Sequence, residues 1–93
     1  MKSIIQDKKE CFICKTTHFL EEHHIFGGPN RKNSEKYGLK IWLCHAHHNE
    51  PPYGIHFYKT FRLYMQSLAQ TGFMQNYNKT EDEFREVFGR NYL

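Results

Sequence analysis

The sequence contains no apolar run long enough to span a membrane. We expect no signal peptide, because Ile4-Ile5 is followed at once by polar residues. A strong excess of charge of one sign is also missing, since 13 basic side chains stand against 10 acidic ones. This mildly basic balance is compatible with binding to nucleic acid but does not require it. We therefore expect a cytoplasmic protein with no membrane partner.

Cysteine is scarce, and its count of three is odd, whereas secreted disulfide frameworks usually have an even count. Cys11 and Cys14 form a C-x-x-C pair, and Cys44 and His47 form C-x-x-H. Two such pairs supply the four N or S ligands of a tetrahedral structural zinc site. We predict Zn²⁺ bound by Cys11, Cys14, Cys44 and His47. The adjacent His48 is an alternative fourth ligand, although the spacing favours His47, and free thiols beside a surface histidine are the simpler alternative.

The 93 residues have room for a single domain, residues 1–93, whose small core a bound metal ion could supplement. Apolar residues predict two strands, within residues 19–26 and 39–43, and a Gly-Pro segment ends the first one. Residues 31–36 are expected to be a loop or a poor helix. Helices are expected after the second strand, so the sequence predicts an α+β fold.

A long helix is expected to begin near Ile55, after Pro51-Pro52 has stopped the second Cys/His segment. Its core face is expected to consist of four residues that recur at helical spacing: Phe57, Phe61, Tyr64 and Leu68. The last helix is predicted to begin with a capping box at Thr80 and Glu83 and to end at Gly89.

Four of the six histidines left once the zinc ligands are assigned are candidates for a second site: His23, His24, His48 and His56. Imidazole is a common metal ligand, and its pKa suits proton transfer at neutral pH. Phosphodiester hydrolysis needs a base beside a cation, which is one way to use such a set. Neighbours on a flat strand point to opposite faces, so His23 and His24 reach one ion only if the strand ends or bulges there. Otherwise one of them is a core histidine and the other a surface histidine.

The runs His23-His24-Ile25 and Leu43-Cys44-x-x-His47-His48, separated by a Gly-containing loop, resemble the HNH nucleases, the ββα-metal group. A phage or prophage subgroup is similar at further positions: Gly27-Gly28, Arg31, residues 34–39 and Gly54-x-His56-Phe57. The resemblance implies a ββα-metal core with zinc knuckles over residues 11–57 and a helical C-terminal extension over 57–93. It also implies a bacterial host cell or a phage-infected cell as the location.

The same resemblance implies a metal-dependent DNA endonuclease or nickase that leaves a 5′-phosphate and a 3′-hydroxyl. His24 would be the general base, and His23 and His48 would bind a single divalent ion at the scissile phosphate. Imidazole ligands suit Mn²⁺, Ni²⁺, Co²⁺ or Zn²⁺ as well as Mg²⁺.

Three positions depart from the family pattern. Leu39 stands where an asparagine usually steadies the loop between the strands, so Asn33 or a backbone group is expected to replace it. His47 replaces the last knuckle cysteine, which zinc tolerates. Pro51-Pro52 interrupts the expected helix, so His56 becomes a metal ligand only if the inserted turn returns it to the ion.

Basic residues are candidate contacts for DNA phosphates, although they can equally be solvated loop charges: Arg31, Lys32, Lys36 and Lys40. Carboxylates are candidates to orient the imidazoles: Glu21, Glu22 and Glu50. Two other functions fit the sequence. One is a non-catalytic zinc-stabilised nucleic-acid-binding or adaptor module, and the other is a protein–protein interaction module that uses the aromatic C-terminal helices. His18 and His45 are expected to be surface residues.

Overall fold

The computed structural model describes residues 1–93. Its elements are β1 (Leu20–His24), a 3₁₀ turn (Gly28–Asn30), α1 (Arg31–Tyr37), β2 (Lys40–Cys44), α2 (His45–Asn49), α3 (Lys59–Asn76) and α4 (Glu81–Phe88). The two strands form one antiparallel sheet, so the α+β class expected from the sequence is confirmed. None of the helices combines the length and apolar character needed to cross a membrane.

The register of the sheet places the adjacent histidines on opposite faces. His23 pairs with Ile41, and His24 pairs with Lys40. Because side chains alternate along a strand, the buried His23 shares the inner face with Ile41, whereas His24 shares the outer face with Lys40. Phe19, expected to be an apolar strand residue, lies before β1 with a φ of 54° and is 87% exposed, so that expectation was wrong.

Main-chain and hydroxyl groups steady the segment between the strands. The buried Ser34 hydroxyl accepts a hydrogen bond from the Phe26 amide at 3.0 Å and donates one to the Phe26 carbonyl at 2.8 Å. The Leu39 carbonyl accepts from the Ile25 amide at 3.0 Å. The Asn33 side chain bonds to none of these groups, because its amide donates to a carbonyl near the end of α4.

The hydrophobic core is rich in aromatic rings, as the composition suggested. The Phe84 and Phe88 rings stack with their centroids 4.7 Å apart, and Phe26 packs on Phe88 at 4.8 Å. From α3, Phe73 and Met65 complete this core and are fully buried. The sheet and the helices thus share one core, which fixes the strand that carries the histidines.

Only two of the four residues expected on the apolar face of α3, Phe61 and Leu68, pack against the core. The helix begins at Lys59, so Phe57 lies outside it and is 56% exposed, and Tyr64 is 59% exposed. The buried face instead runs through Met65, Ala69 and Phe73. Next to Phe73, Gly72 allows a close approach of the N-terminal segment, since a Cβ atom added there would lie 3.0 Å from the Ile5 side chain.

The predicted capping box of α4 is present. The Thr80 hydroxyl accepts from the Glu83 amide at 3.1 Å, and the Glu83 carboxylate accepts from the Thr80 amide at 3.0 Å. Gly89 ends the helix with a φ of 91°.

We expect Thr80→Ala to lower the free energy of unfolding by about 1 kcal/mol, which corresponds to a decrease of about 4–8 °C in the Tm measured by calorimetry. Thr60→Ala, at an exposed position in α3, is the control and should change it by less than about 0.5 kcal/mol; equal effects of the two variants would contradict the capping account.

Candidate metal centres

Cys11, Cys14, Cys44 and His47 lie together, with one donor atom from each within 4.8 Å of the others. His47 Nδ1 is 3.2 Å from the Cys44 sulfur and 3.6 Å from the Cys11 sulfur, and the Cys14 and Cys44 sulfurs are 3.9 Å apart. Ordinary zinc bond lengths in a tetrahedron separate the donors by about 3.5 to 3.8 Å. Disulfide sulfurs would be about 2.05 Å apart, so this Cys3His cluster could hold a metal ion such as zinc.

Separate chain segments deliver these donors. The first knuckle is closed by a hydrogen bond from the Lys15 amide to the Cys11 carbonyl at 3.0 Å, with Lys15 in the left-handed region at a φ of 66°. The Phe12 amide donates to a β2 carbonyl at 2.9 Å, which fixes the knuckle to the sheet. Cys44 ends β2, and His47 lies in α2 directly after it. The structure brings His47, and not His48, to the sulfur atoms.

Hydrogen bonding and crowding shift the thiol pKa values of the Cys3His cluster in opposite directions. Burial raises the pKa of Cys11, but main-chain hydrogen bonds, first from Cys14 and then from Cys44, outweigh it and lower the pKa to about 6. The pKa of Cys44 is raised by burial and by the neighbouring Cys11 and Cys14. Crowded thiolates repel one another, and a bound dication would remove that repulsion.

His23, His48 and His56 form a second cluster, with one ring nitrogen from each within 4.8 Å of the others. His48 Nε2 lies 3.2 Å from His23 Nδ1 and 3.0 Å from His56 Nε2. Two nitrogens bound to one metal ion at about 2.1 Å are separated by about 3.0 to 3.4 Å. The spacing of this three-histidine cluster therefore fits ligands of one ion.

The positions of the ring hydrogens in the three-histidine cluster also favour binding of a cation. The Glu21 carboxylate lies 2.7 Å from His48 Nδ1 and can only accept, so Nδ1 carries the hydrogen and Nε2 the lone pair. That one lone pair faces ring nitrogens of both His23 and His56. It can accept a well-aligned hydrogen bond from one of them, whereas a metal ion would use the lone pairs of all three. Glu21 thus orients His48 in the carboxylate–histidine manner that metal sites use.

The pKa is lowered for two rings of the three-histidine cluster, the buried His23 and the exposed His56, so both are neutral at ordinary pH. The pKa of His23 is lowered to about 3, first because its ring is buried and then because His48 and His56 are close. The pKa of His56 is lowered by partial desolvation of its ring and by His48. Neutral rings keep the lone pairs that bind a metal.

A tight turn after α2 returns His56 to the cluster. The Gly54 amide donates to the Glu50 carbonyl at 2.7 Å, and the His56 amide donates to the His48 carbonyl at 3.4 Å. A Cβ atom at Gly54 would lie 2.6 Å from the Glu50 carbonyl, so glycine is required for this close approach. The segment containing Pro51-Pro52 thereby places His56 beside His48. This placement is what His56 needs in order to serve as a metal ligand.

His24 lies outside the three-histidine cluster, on the other face of the sheet. Its Nε2 atom is 2.9 Å from a Glu35 oxygen and 3.9 Å from a Glu22 oxygen. The Lys40 ammonium lies 2.9 Å from Glu35 and 3.2 Å from Glu22, so it offsets part of the negative charge of these two carboxylates. Burial lowers the pKa of Lys40, but the two carboxylates outweigh it and raise the pKa.

One cleft of about 290 Å³ joins the two faces at the point where β1 ends. It is lined by seven residues: Glu22, His23, His24, Gly27, Arg31, His48 and His56. His24 is the last residue of β1, and the chain turns away after it, so both neighbouring histidines reach the same cleft. The proposed base and the proposed metal ligands therefore share one solvent-accessible space.

The basic candidates are distributed unevenly around this cleft. Arg31 lines it, and Lys32 lines the adjoining hollow with Arg31 and His24. Lys36 lies one helical turn further along α1, with its ammonium over the Tyr37 ring. Lys40 is buried and paired with carboxylates, so it is not available to a phosphate.

Sequence reasoning missed two residues of this region. Glu35 contacts His24 across a gap of 11 positions, and Ser34 fixes the loop behind it. Among the carboxylates that were expected to orient imidazoles, Glu21 contacts both His48 and His45, and Glu50 lies 3.7 Å from His45. His18 and His45 are exposed, as expected. Comparison of the chain with protein-family models, with curated proteins and with solved structures found no match.

Proposed function

We propose that the protein is an HNH-type endonuclease or nickase that hydrolyses DNA phosphodiester bonds with a histidine base and a single divalent ion. The observation that carries this proposal is the convergence of His23, His48 and His56 on the cleft that His24 also lines. A structural Zn²⁺ bound by the Cys3His cluster would hold α2, and hence His48, against the sheet.

The chain's own residues divide the work of hydrolysis. His24 accepts a proton from the attacking water, which is the task of a general base. His23, His48 and His56 would hold the divalent ion, and Glu21 keeps His48 in the tautomer that would bind it. When bound, this ion would neutralise charge that develops on the phosphate and on the leaving oxygen.

The charges around the cleft support a polyanionic substrate. Arg31 and Lys32 lie at its rim, at the start of α1, where their side chains are exposed. Lys40 pairs with Glu22 and Glu35 and so reduces the negative potential beside the cleft. Basic side chains of this kind position a duplex through its phosphates without reading its sequence.

Nicking of supercoiled plasmid tests the proposal, with Mg²⁺, Mn²⁺, Ni²⁺, Co²⁺ or Zn²⁺ supplied in turn. We expect the wild-type protein to nick with at least one of these ions. His48→Ala should lower the rate at limiting metal by more than the roughly 10- to 100-fold that loss of a ligand's hydrogen-bond partner costs. His18→Ala, which changes an exposed histidine, should match the wild type. A non-catalytic zinc-stabilised DNA-binding or adaptor module would instead bind DNA and leave the plasmid intact with every ion, and that result would refute the proposal.

A further inference from the structure

The geometry points to Glu35 as a positioning residue for His24: it holds the ring as the Nε2–H tautomer, so that Nδ1 is the nitrogen that takes the proton from water. This inference rests on the proposed function, because it assigns a partner to the proposed base. Its structural part, the tautomer of His24, can be measured without any activity.

Glu35 is held in place as a carboxylate. Both of its oxygens lie within 3.0 Å of the Lys40 ammonium, which can only donate. Hydrogen bonds from His24 and then from Lys40 lower the pKa of Glu35 to about 2. The position of Lys40 is in turn fixed, because it sits directly opposite His24 in the sheet register.

The tautomer follows from the donors and acceptors. Glu35 Oε1 lies 2.9 Å from His24 Nε2, and an ionised carboxylate can only accept a hydrogen bond. Nε2 must therefore carry the hydrogen, and in a neutral ring this leaves the lone pair on Nδ1. No other side chain lies within hydrogen-bond distance of the His24 ring, since the nearest Glu22 oxygen is 3.9 Å away.

The proposed hydrolysis step needs only these residues and solvent to balance its protons. As the water oxygen bonds to phosphorus, one water proton passes to His24 Nδ1, and the bond from phosphorus to the 3′-oxygen breaks. The leaving oxygen takes a proton from solvent. The imidazolium that forms has hydrogens on both nitrogens, and its Nε2–H remains bonded to Glu35, whose negative charge stabilises it.

Glu35 and Glu21 contact different ring nitrogens of their histidine partners. Glu21 bonds to Nδ1 of His48 and leaves Nε2 for a metal ion, whereas Glu35 bonds to Nε2 of His24 and leaves Nδ1. The two carboxylates lie on opposite sides of the sheet. One chain thus sets two imidazoles in opposite tautomers, one for metal binding and one for proton transfer.

Nitrogen-15 NMR of the zinc-loaded full chain tests the inference at about pH 8, where an ordinary histidine is neutral. The His24 signals are assigned by their loss in His24→Gln. We expect the Nε2–H tautomer in the wild type, a mixture of tautomers in Glu35→Ala, and partial retention of Nε2–H in Glu35→Gln, whose amide oxygen still accepts. Glu86→Ala, at an exposed position in α4, is the matched control and should leave the His24 signals unchanged.

Kinetics of plasmid nicking supply the second readout. Glu35→Ala should lower kcat by about 10- to 100-fold with little change in KM, and Glu35→Gln should recover part of that loss. An Nδ1–H tautomer in the wild type, or a wild-type kcat in a folded Glu35→Ala protein, would overturn the inference. A further outcome is a wild-type protein that shows the Nε2–H tautomer but does not nick plasmid with any of the metal ions tested. That result would leave the Glu35–His24 contact established and refute the nuclease proposal instead.

Discussion

Replacing His24 by alanine is expected to lower the rate of plasmid nicking by at least about 100-fold, because the base that accepts the water proton is removed. The fold should survive this change. His24 lies at the edge of the sheet, and Glu35 and Lys40 remain paired with each other when the ring is absent. Bound zinc, measured by atomic emission, and the Tm should therefore stay close to their wild-type values.

The control variant is His18→Ala, because His18 is exposed and belongs to neither candidate metal centre. That variant should nick at the wild-type rate. If His24→Ala also cuts at the wild-type rate, the assignment of the base is wrong. A protein–protein module built on the aromatic C-terminal helices would make both variants indistinguishable in every assay.

Breaking the Cys3His cluster is expected to unfold the protein. Structural zinc contributes about 10–16 kcal/mol of apparent binding energy, which equals or exceeds the whole stability of about 5–15 kcal/mol of a typical domain. Cys44→Ser removes a ligand from the end of β2 and should abolish the cooperative unfolding transition seen by circular dichroism. Strong chelators should have the same effect on the wild type.

Ala46→Ser is the matched control, because it introduces the same hydroxyl at an exposed position two residues away in α2. It should unfold at the wild-type temperature with its zinc in place. A Cys44→Ser protein that melts cooperatively at the wild-type temperature would show that the cluster does not contribute to folding.

Local features of the sequence were the reliable ones. The spacing of Cys11 and Cys14, and of Cys44 and His47, indicated two pairs of ligands, because residues this close in the chain lie close in space. The pairing of these two segments, 30 or more positions apart, followed only from the four ligands that structural zinc needs. The capping box at Thr80 depends on contacts within three residues, which the order of side chains determines directly.

Features that depend on docking between elements were not predictable. Glu35 meets His24 only because α1 folds back beside β1, and no local pattern encodes that contact. His56 reaches His48 through a turn whose path is set by the Gly54 approach to the Glu50 carbonyl. Half of the α3 face was misjudged, because Phe57 and Tyr64 recur at helical spacing with two core residues, whereas Phe57 precedes the helix and Tyr64 is exposed.

The number of metal ions per chain tests the central claim most directly. Equilibrium dialysis against Mn²⁺, followed by elemental analysis, should give one retained zinc and one exchangeable manganese in the wild type. The His48→Ala protein should keep the zinc and lose the manganese, since only the three-histidine cluster is affected. A wild-type protein that binds one zinc and no exchangeable ion would contradict the account.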